Sequence, residues 1–168
     1  MRPLDLVVLL KIVAKGTQPW FNKDLAAELY ISASEVSESL NRSMLAGFLD
    51  KSKKKLFRNA LLEFVQHGLK YVFPQRPGEL VKGIPTAHSA PIAREAFVSE
   101  DVYVWADAKG PMRGQAIEPL YPSVIKAIQQ DEQLYHLLAL CDMLRVGRVR
   151  ETAYAVEKLK DLFKNSPV

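Results

Sequence analysis

The chain is poor in the residues that carry most covalent and metal chemistry. One cysteine, Cys141, and three histidines stand among 168 residues. A single cysteine excludes an intramolecular disulfide, and a reducing, cytoplasmic compartment is the expectation that follows. One thiol and three scattered imidazoles also exclude a closed zinc site of the cysteine-rich kind. The eight glycines lack phosphate-loop spacing, so no nucleotide-binding fingerprint is present. No uncharged apolar run comes near the roughly 18 residues that a membrane span needs. The N-terminal run Leu6 to Leu10 is closed off by Asp5 and Lys11. No small-residue cleavage site follows it, which argues against a secretory signal.

What is present reads as globular. Apolar residues make up 48% and charged residues 25%, which excludes wholesale disorder. Charge is uneven. Residues 1–82 hold thirteen Lys and Arg against eight Asp and Glu, whereas residues 83–168 hold ten against eleven. A basic half beside a neutral half points to a polyanion meeting the first half.

Apolar spacing predicts helices through the first third. Leu6, Leu9, Leu10 and Val13 recur at helical intervals, with Gly16 as the stop. Asn22 is the expected N-cap of a short helix that buries Leu25, Ala26 and Leu29. Ser32 and Glu35 form a capping box for a third helix with Val36, Leu40 and Met44 on one face and Gly47 after it. A polar stretch, Leu49 to Lys55, precedes a fourth helix about Leu56, Ala60, Leu61, Phe64, Val65 and Leu69. Leu69, Tyr71 and Phe73 alternate, which predicts a strand ending at Pro74. Pro74 to Pro91 reads as irregular chain, Val102 to Trp105 as a strand, and Ala106 to Gly114 as a loop or wide hairpin. Asp131 is the expected cap of a helix bearing Leu134, Leu137, Leu138, Cys141 and Leu144, and a last helix spans Arg150 to Phe163. That leucine stripe is broad enough to pack a partner helix, or else to cover the core.

The strongest pattern is Asn22 to Arg42. Leu25-Ala26 lies in the first helix, Ile31-Ser32 at the turn, Val36-Ser37 in the second helix, and Leu40-Asn41-Arg42 after it. Ala26 allows a close crossing, Ile31 plugs the corner, and Ser34, Ser37, Glu38 and Asn41 are left outward on one face. This stretch resembles the helix-turn-helix of bacterial transcriptional regulators. With the basic run Lys51, Lys53, Lys54, Lys55 and Arg58 behind it, the chain is similar to a winged helix-turn-helix regulator, MarR-type in the loose sense. Three positions depart from that pattern. Tyr30 stands where the family usually has glycine, Glu35 and Glu38 are acidic, and the wing is short.

The resemblance implies a mainly α chain with a small β component. Residues 1–75 would form a winged helix-turn-helix domain, and residues 76–168 an α+β region with C-terminal helices for dimerisation or partner binding. It implies a homodimer on double-stranded DNA, with Ser34, Ser37, Glu38, Asn41 and Arg42 at the major groove. Lys51, Lys53, Lys54, Lys55 and Arg58 would meet phosphates. The alternative is a protein-interaction module, antitoxin-like or adaptor, holding a protein partner with the same motif. Leu138 to Glu151 resembles tails of uncharacterised bacterial regulator-like proteins. Its Arg145, Arg148 and Arg150 can bind an anion or a partner's carboxylates, or can cap helix ends and pair with Asp142 and Glu151. No catalytic constellation, metal set or cofactor motif is expected. His88 beside Ser89 has no acid at a useful spacing, and His136 with Glu132 is a two-residue set.

Overall fold

The structure is a computed structural model that describes residues 1–164. The chain runs α1 (Pro3–Lys15), α2 (Asn22–Leu29), α3 (Ala33–Leu45), α4 (Arg58–His67), α5 (Leu69–Val72), β1 (Leu80–Pro85), β2 (Tyr103–Ala106), β3 (Met112–Ala116), α6 (Val124–Ala127), α7 (Glu132–Val146) and α8 (Val149–Lys164). Helix accounts for about 54%, so the fold is mainly α with a small β component.

Two helices form the spine. α1 buries every residue from Leu4 to Val13, and α7 buries Leu134 and the whole run from Leu137 to Leu144. A helix that is apolar nearly all round belongs in an interior, and these two pack on each other. Pro3 opens α1 at a position where its missing N–H costs nothing. Amphipathic helices close over the pair: α2 and α3 pack against α1, and α8 packs against α7. One continuous apolar cluster runs from Leu4 to Phe163. The leucine stripe of α7 is therefore spent on the chain's own core, and it offers no surface to a partner.

Two carboxylates pin this core. Asp5, fully buried on α1, accepts from Ser39 Oγ at 2.7 Å and from Nε and Nη2 of Arg42 at 3.0 and 2.9 Å. It also accepts the backbone N–H of Arg2 at 2.8 Å, which caps α1. Asp142, buried on α7, accepts from Thr86 Oγ1 at 2.7 Å, Trp105 Nε1 at 2.8 Å and Arg145 Nη1 at 3.0 Å. The first ties α3 to α1, and the second ties the sheet to α7.

The sheet is a closed ring of three short strands. β1 pairs antiparallel with both β2 and β3, and β2 pairs parallel with β3. β1 changes partner at Gly83, opposite Met112 on one side and Ala106 on the other. A Cβ there would lie 2.1 Å from the carbonyl oxygen of Trp105, so only glycine fits.

Four local readings are corrected. Leu69 to Phe73 is not a strand, since α5 occupies Leu69–Val72. Leu61, Val65 and Leu69 are buried and Phe73 half-buried, a stripe of i, i+4 spacing that outweighs the alternation. The stretch Pro74 to Pro91 contains β1. The segment read as a loop or hairpin after Ala106 contains β3, which lies parallel to β2. The N-cap of α2 is Phe21, with Asn22 one place inside. The caps at Ser32 and Asp131 stand as expected: Glu35 N donates to Ser32 Oγ at 3.0 Å, and Leu134 N to Asp131 Oδ1 at 3.0 Å.

Candidate nucleic-acid interface

The turn between α2 and α3 is three residues long. Tyr30 takes the left-handed conformation, φ 57 and ψ 44, which is where glycine is easiest. Its amide closes on Ala26 and Ala27, and its ring lies 5.9 Å from Lys126 Nζ, an attraction that offsets part of the backbone cost. Ser32 then starts α3 through the capping box. The burial of Leu25, Ala26, Leu29, Val36 and Leu40 fixes how the two helices cross.

That crossing decides what α3 shows to solvent. Ser34, Glu38, Asn41 and Leu45 are exposed in one row, with Ser37 half-buried on its flank. Ser34, Ser37, Glu38 and Asn41 thus fall together as expected. Arg42 does not share this face, because its guanidinium turns back to Asp5. That contact holds the Arg42 guanidinium above its ordinary range.

The basic segment forms a small hairpin. Leu49 and Leu56 make a single antiparallel bridge, and Phe57 N donates to Phe48 O at 2.8 Å. Asp50 organises the turn by accepting from Ser52 Oγ and from the amides of Lys54 and Lys55 at 2.9 Å each. Those donors, the Ser52 hydroxyl first, pull its carboxyl down to about 2. Lys51, Lys54 and Lys55 are exposed. Lys53 sits at φ 58 and reaches across to α3, where its Nζ donates to Asn41 Oδ1 at 2.7 Å. Arg58 lies elsewhere, half-buried at the start of α4, and donates to the carbonyls of Gly16 at 3.0 Å and Phe163 at 3.5 Å.

Two features here had no counterpart in the sequence reading. Between α2, α3 and the hairpin lies a cleft of about 260 Å³, lined by Trp20, Phe21, Asn22, Ser37, Leu40, Ser52, Lys53 and Lys54. The only sequence signal was an aromatic pair directly before a helix start. On the other flank of α3, Tyr121 Oη donates to Glu35 Oε2 at 2.9 Å. That hydroxyl, with the Ser32 groups, holds the Glu35 carboxyl below its usual range. The segment leading into α6 is therefore fastened to the first turn of α3.

The arginines of the C-terminal region separate into two groups. Arg145 is spent on Asp142, the Phe73 carbonyl at 2.9 Å and the Glu118 carbonyl at 3.3 Å. It thus staples α5 and the β3–α6 connection to α7 and is not free for a ligand. Arg148 and Arg150 are exposed, and the amide of Arg148 is capped by Glu151. Among the described residues, no group of three or more His, Cys, Asp or Glu is placed to hold a metal, and no helix is long and apolar enough to cross a membrane. No protein-family model, curated protein or solved structure matches the chain.

Proposed function

We propose that this chain is a DNA-binding transcriptional regulator of the winged helix-turn-helix kind. In this reading α3 lies in the major groove and the 50–55 hairpin is a short wing on the phosphates. One observation carries the reading: a preformed basic hairpin leans onto the exposed face of α3, and Lys53 bonds Asn41 on that face. Ser34, Ser37 and Glu38 complete the reading surface, and Lys51, Lys54 and Lys55 supply further positive charge beside it. The Lys53–Asn41 contact also couples the two roles. When a phosphate takes the ammonium, the Asn41 carboxamide is released to pair with the edge of an adenine. The role is non-catalytic and cytoplasmic. Two chains on a two-fold-symmetric site give the arrangement that such motifs use.

Salt dependence tests this directly. Lysines that meet phosphates release counterions, so affinity falls with salt at a slope of about 0.9 per contact. Replacing Lys53, Lys54 and Lys55 with Ala should weaken binding to every duplex and flatten that slope by up to about three contacts. Fluorescence anisotropy across a salt series measures it, and an unchanged slope would remove the hairpin from the interface. Asn41→Ala should behave differently, costing about 1–3 kcal/mol on the preferred sequence and little elsewhere. Equal loss on all sequences would demote Asn41 to a backbone contact.

The second reading, a protein-interaction module, is favoured by Leu45. This residue is 81% exposed on the same row of α3, where DNA phosphates give a leucine no partner. A protein held there would bind with little dependence on salt.

A further inference from the structure

The cleft beside α3 has a lining that contact with duplex DNA does not require. Part of it is aromatic: Trp20 is half-buried, and Phe21 is 58% exposed. Part is basic, Lys53 and Lys54, and Asn22, Ser37 and Ser52 add hydrogen-bonding groups. Among the described residues no carboxylate lines it. A cavity of roughly 150 Å³ accepts a benzene-sized ring, so about 260 Å³ admits one planar base.

Two local costs meet at this cleft. The Phe21 ring stands largely in water, and apolar surface left in water forgoes the gain of burial. Lys53 holds a left-handed backbone, φ 58, at the end of the turn that its amide closes on Asp50 O at 2.9 Å, a conformation that is costly for lysine. Glycine or asparagine would suit that position better for folding alone. A ring face and a cation thus stand together at the cleft.

We propose that the cleft binds an unpaired nucleotide, its base stacked on Phe21 beside Trp20 and its phosphate held by Lys53 and Lys54. Surfaces that grip single strands combine these two elements, and stacking tolerates any base because every base has a π face. The proposal rests on the reading of the hairpin as a nucleic-acid surface. It adds a ligand, single-stranded nucleic acid, that major-groove reading does not involve.

Trp20 reports on the site without a label. The other tryptophan, Trp105, is buried with its indole N–H on Asp142, so a ligand-dependent change in emission comes from Trp20. The experiment titrates the full chain with an oligothymidylate of about eight nucleotides, with duplex DNA, and with inorganic pyrophosphate. The expected result is saturable quenching by the oligothymidylate that pyrophosphate does not reproduce. Phe21→Ala should weaken oligothymidylate binding at least about fivefold and leave duplex affinity unchanged. Phe21→Leu, which keeps apolar bulk without a ring, should fall with Phe21→Ala, and melting curves confirm that both variants are folded. Absence of quenching, quenching that pyrophosphate reproduces, or affinity that survives both substitutions overturns the proposal. Duplex binding without oligothymidylate binding overturns it and leaves the major-groove reading intact. Oligothymidylate binding lost on ring removal, with no duplex binding, supports it while the major-groove reading fails.

Discussion

Asp142→Ala should destabilise the fold by about 3–5 kcal/mol, the cost of leaving one partner of a buried ion pair alone. Three donors would lose their acceptor at once: the Thr86 hydroxyl, the Trp105 indole and the Arg145 guanidinium. Thr86 is fully buried and Trp105 nearly so, so neither donor has bulk water to turn to. Arg145, whose side chain is 5% exposed, would keep its charge with only the Phe73 and Glu118 carbonyls left. Burial pushes the Asp142 carboxyl up, and Arg145, Thr86 and Trp105 pull it part of the way back. Asp142→Asn separates charge from shape. Thr86 and Trp105 both bond the same oxygen, Oδ2, so a carboxamide oxygen there still accepts from both, orphans chiefly Arg145 and should cost less than alanine. Urea unfolding followed by Trp105 emission measures both. If alanine and asparagine cost the same, the lost charge dominates and the two neutral donors matter little.

Asp5→Ala should cost about 3 kcal/mol, from the buried pair with Arg42 and the lost cap at Arg2. Arg42 keeps partial access to water, its side chain being 25% exposed, which holds the cost below that of Asp142→Ala. A double-mutant cycle with Arg42→Ala should show coupling of about 0.5–3 kcal/mol, and additive losses would mean that the pair does not act as one unit. The pH dependence has a definite sign. Burial raises the Asp5 carboxyl, but Arg42, the Arg2 amide and Ser39 together leave it below its ordinary value of 3.8. A carboxyl lowered on folding adds stability above its unfolded pKa and loses it as pH falls through the folded one. Acidification below about 4 should therefore weaken the wild type more than Asp5→Asn, as melting temperatures along an acid series would show. The loss should be felt at the candidate interface, because Ser39 and Arg42 are how α3 is set against α1.

Local signals were readable and distant ones were not. Ser32 with Glu35, and Asp131 with Leu134, lie three residues apart, so spacing alone locates those caps. The buried stripes of α1 and α7 were equally plain, although whether α7 faced a partner or the core depended on what lies across it. The partner of Arg42 is 37 residues earlier, and Arg58 reaches carbonyls at Gly16 and Phe163. Nothing in the neighbouring sequence marks either as turned inward. β1 and β3 carry little local signal because each is short and contains glycine. Their pairing, Leu80 with Gln115 through Gly83 with Met112, is set by tertiary packing, not by alternation. The cleft has no local signature, because Trp20-Phe21 and Ser52-Lys53-Lys54 approach each other only once the α2–α3 crossing is made.

Closure of the three-strand ring has a consequence for recognition. Many β-containing modules capture a peptide by letting it zip onto an open strand, trading main-chain hydrogen bonds for affinity. Here, among the described residues, each of the three strands pairs with both of the others along part of its length, and none has a whole side open as a template. The same feature guards against edge-to-edge aggregation. A peptide that ran a regular cross-strand amide pattern along a full strand here would have to displace part of one of the three ladders. Strand addition is thus disfavoured at this end of the molecule, whereas α3 and its hairpin present side chains to solvent.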